Sequence, residues 1–198
     1  MKKIAILLVL LIGFSFMVSA QGFYFDIGMG LGKPWTIING EDFGKAMKES
    51  SSQISQLGMD FGLKMGYGPI AGTPVYVVGE VSGIGHRIYD SYNYLQFNSI
   101  LIGPGVLIYP IPLLQLGASF GFSTMANTTD ISGLKMYESK GGFGFNATAA
   151  VDLGQKNHGV LLGLKYSFAK NTLKESNAEA KESFFGVFVK YAFRHKMH

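Results

Sequence analysis

Phe23-Tyr24-Phe25-Asp26-Ile27-Gly28-Met29-Gly30-Leu31-Gly32 splits into two unlike faces when every second residue is taken. Phe23, Phe25, Ile27, Met29 and Leu31 form one face; Tyr24, Asp26, Gly28, Gly30 and Gly32 form the other. A strand turns successive side chains to opposite sides, so this spacing predicts a β-strand between two different environments. The same period returns at residues 57–68, where Leu57, Met59, Phe61, Leu63, Met65 and Tyr67 oppose Gly58, Asp60, Gly62, Lys64 and Gly66. It returns again at residues 114–123, 143–153, 160–168 and 184–193. Residues 75–86 and 95–109 are strands by composition with less regular faces, and Gly103-Pro104-Gly105 points to a bulge in the second of them. Eight strands are expected.

The connections then separate one all-β architecture from another. They run long at 33–56, short at 69–74, intermediate at 87–94 and short at 110–113. After that they are long at 124–142, short at 154–159 and long at 169–183. A transmembrane β-barrel alternates tight periplasmic turns with longer extracellular loops in this way. The second face of the strands is glycine, small polar residues and a few charges, too sparsely charged for a water-facing surface. It suits a narrow lumen, and the apolar face suits hydrocarbon. Aromatics at Phe23, Tyr67, Tyr94, Tyr109, Phe143, Tyr166, Phe168, Tyr191 and Phe193 would form girdles at the membrane interfaces. The expected fold is all-β: an eight-stranded antiparallel up-and-down transmembrane barrel.

Composition agrees with a membrane wall. Of 198 residues 15% are charged and 27 are glycine, and mean hydropathy is +0.22. The absence of cysteine excludes disulfides and thiolate metal sites. Lys2-Lys3, the apolar run 4–16 and Val18-Ser19-Ala20 read as a signal peptide over residues 1–20, leaving residues 21–198 as the barrel domain. Without Lys2 and Lys3, 15 basic residues face 13 acidic ones, too small an excess for a nucleic-acid binder. The apolar stretch 100–122 contains Pro104, Pro110 and Pro112, which argue for a hairpin and against a spanning helix.

The exported start, the glycine-rich first strand, eight alternating segments and the aromatic last strand Phe185-Gly186-Val187-Phe188-Val189-Lys190-Tyr191-Ala192-Phe193 resemble the small outer-membrane β-barrel family of OmpA-, OmpX-, OmpW- and opacity-protein-like domains. The resemblance implies a bacterial outer-membrane location, contact with outer-membrane lipids, and recognition of the last strand by the barrel-assembly machinery. Arg194-His195-Lys196-Met197-His198 departs from the aromatic terminus of that pattern.

Candidate chemistry is sparse. Gly28-Met29-Gly30-Leu31-Gly32 precedes a loop opened by Lys33-Pro34-Trp35, so it reads as inward-facing glycine and not as a phosphate loop. His195 and His198 lack a carboxylate or Cys partner for a metal. His86, Asp90 and Ser91 are the one set that could activate a hydroxyl, and nothing local orients them. No cofactor and no enzymatic activity is expected. Short helical turns are expected at 41–49 and 173–182. Function then falls to charge-balanced extracellular loops serving envelope integrity or binding an outside ligand. A narrow channel for small or apolar solutes is the alternative, and a lipid-modifying enzyme comes third.

The lumen is the candidate site. Strand phase puts Asp26, Asp60, Glu80 and Asp152 inside with Lys64, Lys165 and Lys190. Eight strands leave room for side chains and little else, so these groups are expected to pair as a polar plug. Asp60, four residues from Lys64 on the same face, and the cross-strand neighbours Asp26 and Glu80 are the partners expected for Lys64.

Overall fold

The computed structural model describes residues 22–51, 53–131, 137–154 and 157–194. The expected signal peptide and the tail His195, Lys196, Met197 and His198 lie outside them. The elements, in order, are β1 (Phe23–Ile38), β2 (Glu41–Asp42), α1 (Phe43–Ser50), β3 (Ser55–Tyr67), β4 (Val75–Tyr89) and β5 (Tyr94–Ile111). They continue with β6 (Leu114–Thr129), β7 (Ser139–Asp152), β8 (His158–Leu173) and β9 (Glu179–Arg194). Apart from the two-residue β2, each strand pairs antiparallel with the next barrel strand, and β1 pairs with β9. The result is a closed eight-stranded up-and-down barrel, in which every wall strand pairs with a neighbour on each side.

The register fixes the size of the lumen. One circuit of paired residues runs Tyr24, Gly66, Val78, Gly105, Ser119, Asn146, Ser167, Phe184 and back to β1 at Pro34, ten residues beyond the start. This stagger tilts the strands, and eight strands at such a tilt enclose a narrow interior.

On the outside, residues 23–31 of β1, 160–168 of β8 and 185–193 of β9 carry an apolar band with Met29, Leu31, Phe120, Phe122, Phe143 and Val187 exposed. Nine residues in a tilted strand match the roughly 9–11 needed to cross hydrocarbon. The chain is a transmembrane β-barrel.

Strands of 14–18 residues in β1, β5, β7, β8 and β9 outrun that band, and here the structure departs from expectation. Much of what was expected as loop at 33–56, 124–142 and 169–183 is strand, and the connections shrink to 39–54, 130–138 and 174–178. Above the membrane the outer face meets water, so the apolar–polar alternation that marks a strand disappears while backbone pairing continues. The helical turn expected at 41–49 is α1, capped by Asp42, whose Oδ1 accepts from Lys45 N at 3.0 Å. The one expected at 173–182 is replaced by the tight β8–β9 hairpin.

The bulge expected at 103–105 lies elsewhere. Register holds from Ile102↔Phe122 to Gly105↔Ser119 and slips between Ile108 and Ile111. Pro104 lacks an N–H, which interrupts a ladder without inserting a residue. Tyr109 does not join an interfacial girdle: it is buried in the lumen, because odd-numbered residues of β5 face inward.

Candidate functional site

All seven residues expected in the lumen are buried on its inner face. Lys190 Nζ donates to Asp26 Oδ1 at 2.9 Å, and Lys165 Nζ donates to Asp60. Lys64 Nζ lies 3.7 Å from Glu80 Oε2. Lys64 sits directly between Asp26 on β1 and Glu80 on β4 in the sheet register. Asp60 is a correction. It turns across the lumen to Lys165 because residues four apart along a strand are separated by more than 10 Å of backbone.

Two charged members of the site went unrecognised in the sequence. Arg194 pairs with Asp152, giving that acid the base it lacked, and its guanidinium stacks 4.9 Å from the Tyr109 ring. Glu182 is fully buried near the end of the barrel that carries α1 and accepts from Ser99 Oγ. Both obey the even-numbered inward phase of β9 set by Phe184, Phe188 and Lys190. Extending that phase past 184 and 193 would have found them; assigning 169–183 to loop and Arg194 to tail hid them. The lumen thus holds four ion pairs and, among the described residues, one carboxylate with no basic partner, Glu182.

Neutral groups tie the charges together. Tyr24 Oη donates to Asp26 Oδ2 at 2.7 Å, and Gln115 Nε2 donates to Tyr24 and Tyr109 hydroxyls at 2.8 and 2.5 Å. Asn146 Nδ2 donates to Glu80 Oε1 at 3.0 Å and Ser82 Oγ at 2.7 Å, while Ser119 donates to the other Glu80 oxygen. Glycine supplies the space. A Cβ on Gly28 would lie 2.1 Å from Val189 O and 2.6 Å from Lys190 Cγ, and one on Gly62 would lie 2.9 Å from Lys190 Nζ. The glycine run of β1 is therefore what lets β1 close on β9 around Lys190.

Apolar layers lie above and below this polar midsection. Tyr24, Tyr76, Val78, Leu107 and Tyr109 cluster at the end where β1 begins and β9 ends. Ile38, Ile88, Leu95, Phe97, Met125, Leu173 and Ala180 cluster at the other end, with Phe43 and Met47 of α1 packed against them. The ring of Phe43 meets Phe97 edge-on at 5.4 Å.

The considered His86, Asp90 and Ser91 set does not assemble. His86 faces inward, its ring nitrogens 2.8 Å from Thr36 Oγ1 and 3.2 Å from Gln56 Oε1. Asp90 sits in an exposed turn, accepting from Tyr92 N and Asn93 N, and those two bonds hold its carboxyl below the usual range.

Solved barrels superpose on this architecture. Ail, the attachment invasion locus protein of Yersinia pestis, matches 86% of this chain and 99% of its own at TM-score 0.53 and 11% identity. The chain has the fold of a small outer-membrane β-barrel. Ail in complex with the heparin analogue sucrose octasulfate matches at TM-score 0.54 and 10% identity over 85% of this chain and 99% of that one. Neisserial surface protein A aligns over 85% of this chain and 96% of its own, at TM-score 0.47 and 17% identity. No family model and no curated protein sequence matches the chain.

Proposed function

We propose that this is a non-enzymatic protein of the bacterial outer membrane whose lumen is sealed and whose extracellular crown carries its function, in envelope integrity or surface contact. The observation that carries it is the order of layers in the lumen: an aromatic base that includes the Arg194–Asp152 pair, three further buried ion pairs, then an apolar cap reinforced by α1. A conducting pore would need water alongside those charges, and in an eight-stranded barrel paired side chains occupy that space. A channel for apolar solutes would need an apolar midsection, which is where the charges lie. In this reading the partners are outer-membrane lipids around the band, the barrel-assembly machinery at β9, and an outside ligand at the crown.

Planar bilayers test it. The wild-type protein should insert with little steady conductance, and Lys64→Ala should lower its unfolding midpoint without opening a stable pore. Large wild-type channels whose ion selectivity alone changes in Lys64→Ala would establish the pore instead.

A further inference from the structure

The wall is split at one place. The β1–β3 ladder ends at Gly32↔Gly58. Above it, β1 pairs with β9 as far as Ile38↔Ala180, and β3 pairs with β4 as far as Ser55↔Tyr89. Pro34 has no N–H to donate toward β3, so the ladder cannot continue through it. β2 takes up the edge of β1 only at Ile37↔Asp42 and Ile38↔Glu41. Between these limits, beneath α1, lies a cavity of about 600 Å³ bordered by Gly32, Lys33, Pro34, Trp35 and Gln56, and by Lys45 and Lys48 with Asp42 and Glu49.

Its height and its charge indicate an occupant. On the outer face of β1 the apolar series ends at Leu31 and the next outward residues are Lys33 and Trp35, the step expected where hydrocarbon gives way to lipid headgroups. The two carboxylates at the cavity are already engaged: Asp42 caps α1, and Glu49 lies 3.8 Å from Lys45. Lys33 sits 5.2 Å from the Trp35 ring, and neither Lys33 nor Lys48 has a carboxylate partner among the described residues. Three lysines and two carboxylates therefore leave the cavity a net charge of +1, with Lys33 and Lys48 bordering it outside any ion pair among the described residues.

We propose that this notch binds the phosphorylated sugar headgroup of an outer-leaflet glycolipid, with Lys33 and Lys48 on phosphate, Trp35 against the sugar and the acyl chains along Leu31 and Leu57. The inference rests on the membrane placement proposed above and is independent of whether the lumen is sealed.

Trp35 is the single tryptophan of the chain, so its fluorescence reports the site. The protein would be refolded into phosphatidylcholine vesicles with or without added lipid A, alongside Lys33→Gln/Lys48→Gln. The expected result is a saturable Trp35 shift with lipid A, weakened at least about tenfold in the double variant, whose heat-modifiable migration is unchanged. No shift, or one that the double variant retains, overturns the proposal. A shift produced equally by inorganic phosphate or soluble glucosamine phosphate overturns the assignment to a lipid and leaves a site for free anions. Failure of the wild type to enter vesicles at all would instead refute the membrane placement.

Discussion

The ion pairs of the lumen and those of the exposed crown beyond the apolar band use the same groups in opposite surroundings. In the lumen, Lys165–Asp60, Lys190–Asp26 and Lys64–Glu80 are almost wholly out of water, and each carboxylate accepts from, or lies beside, a base on another strand. In the crown, Lys174–Glu138 at 2.6 Å and the Lys181–Glu179 contact at 2.7 Å are well exposed, as is Lys170–Glu179. Geometry barely distinguishes the two sets. Solvent does. A charge left alone in the lumen cannot be rehydrated, whereas one left alone in the crown already is. Pairs inside therefore cost stability when broken, and pairs outside do not, although both sit on strands joined by backbone bonds.

Removing one lumen partner should break that contrast most visibly. Lys165→Ala strands Asp60 and should cost about 3–5 kcal/mol of unfolding free energy, read by denaturant titration in lipid vesicles. Adding Asp60→Leu should recover most of the loss, since the penalty belongs to the stranded charge. A single variant as stable as wild type would mean that water reaches the midsection.

Packing around Lys190 comes next. Gly28→Ala places a methyl against β9 backbone, and overpacking of this kind costs about 1–3 kcal/mol. Slower assembly and a lower unfolding midpoint are expected. Ala at Gly72, an open turn glycine with φ +75°, crowds nothing and should disturb the backbone of one turn without affecting closure.

Glu182 sharpens the comparison from inside. It is buried like the paired acids but faces no base among the described residues, so Glu182→Gln keeps its shape and its bond with Ser99 and strands nothing. Its unfolding free energy should stay within about 1 kcal/mol of wild type, where Asp60→Asn, which strands Lys165, loses several. Equal losses would show that burial of the acid, and not its pairing, sets the cost.

The smallest effects belong to the crown. The Lys174 ammonium donates to Glu138, and Lys170 and Lys181 donate to Glu179, holding both carboxyls below their ordinary value of 4.5. A lowered carboxyl contributes stability above that value and loses it as pH falls through the lowered one. Hydrogen exchange in the β6–β7 and β8–β9 connections should therefore quicken only below about pH 4.5. Lys174→Ala should abolish part of that dependence with no change in the global unfolding midpoint.

Residues such as Asp26, Lys64 and Lys190 were legible because they fall within membrane-crossing stretches, where one face must be apolar and any polar residue must be opposite. Glu182 and Arg194 obey the same phase but lie past the ends of the apolar run, where the outer face carries Ser183 and Lys181 and alternation loses its contrast. The bulge at 103–105 failed for a related reason. Proline and glycine mark where a ladder is weakened, whereas a register slip is settled by the turn that joins β5 to β6.

The sequence by itself determined the eight barrel strands and, within the membrane-crossing stretches of regular alternation, the face each residue takes, because a period of two separates hydrocarbon from lumen. Which charge meets which, the packing of Phe43 and Met47 against the Ile38–Phe97 cluster, and the notch between β1 and β3 were decided by the tertiary structure. Those depend on the ten-residue stagger around the barrel, which sets the height of each strand against its neighbours and has no signature in any one segment.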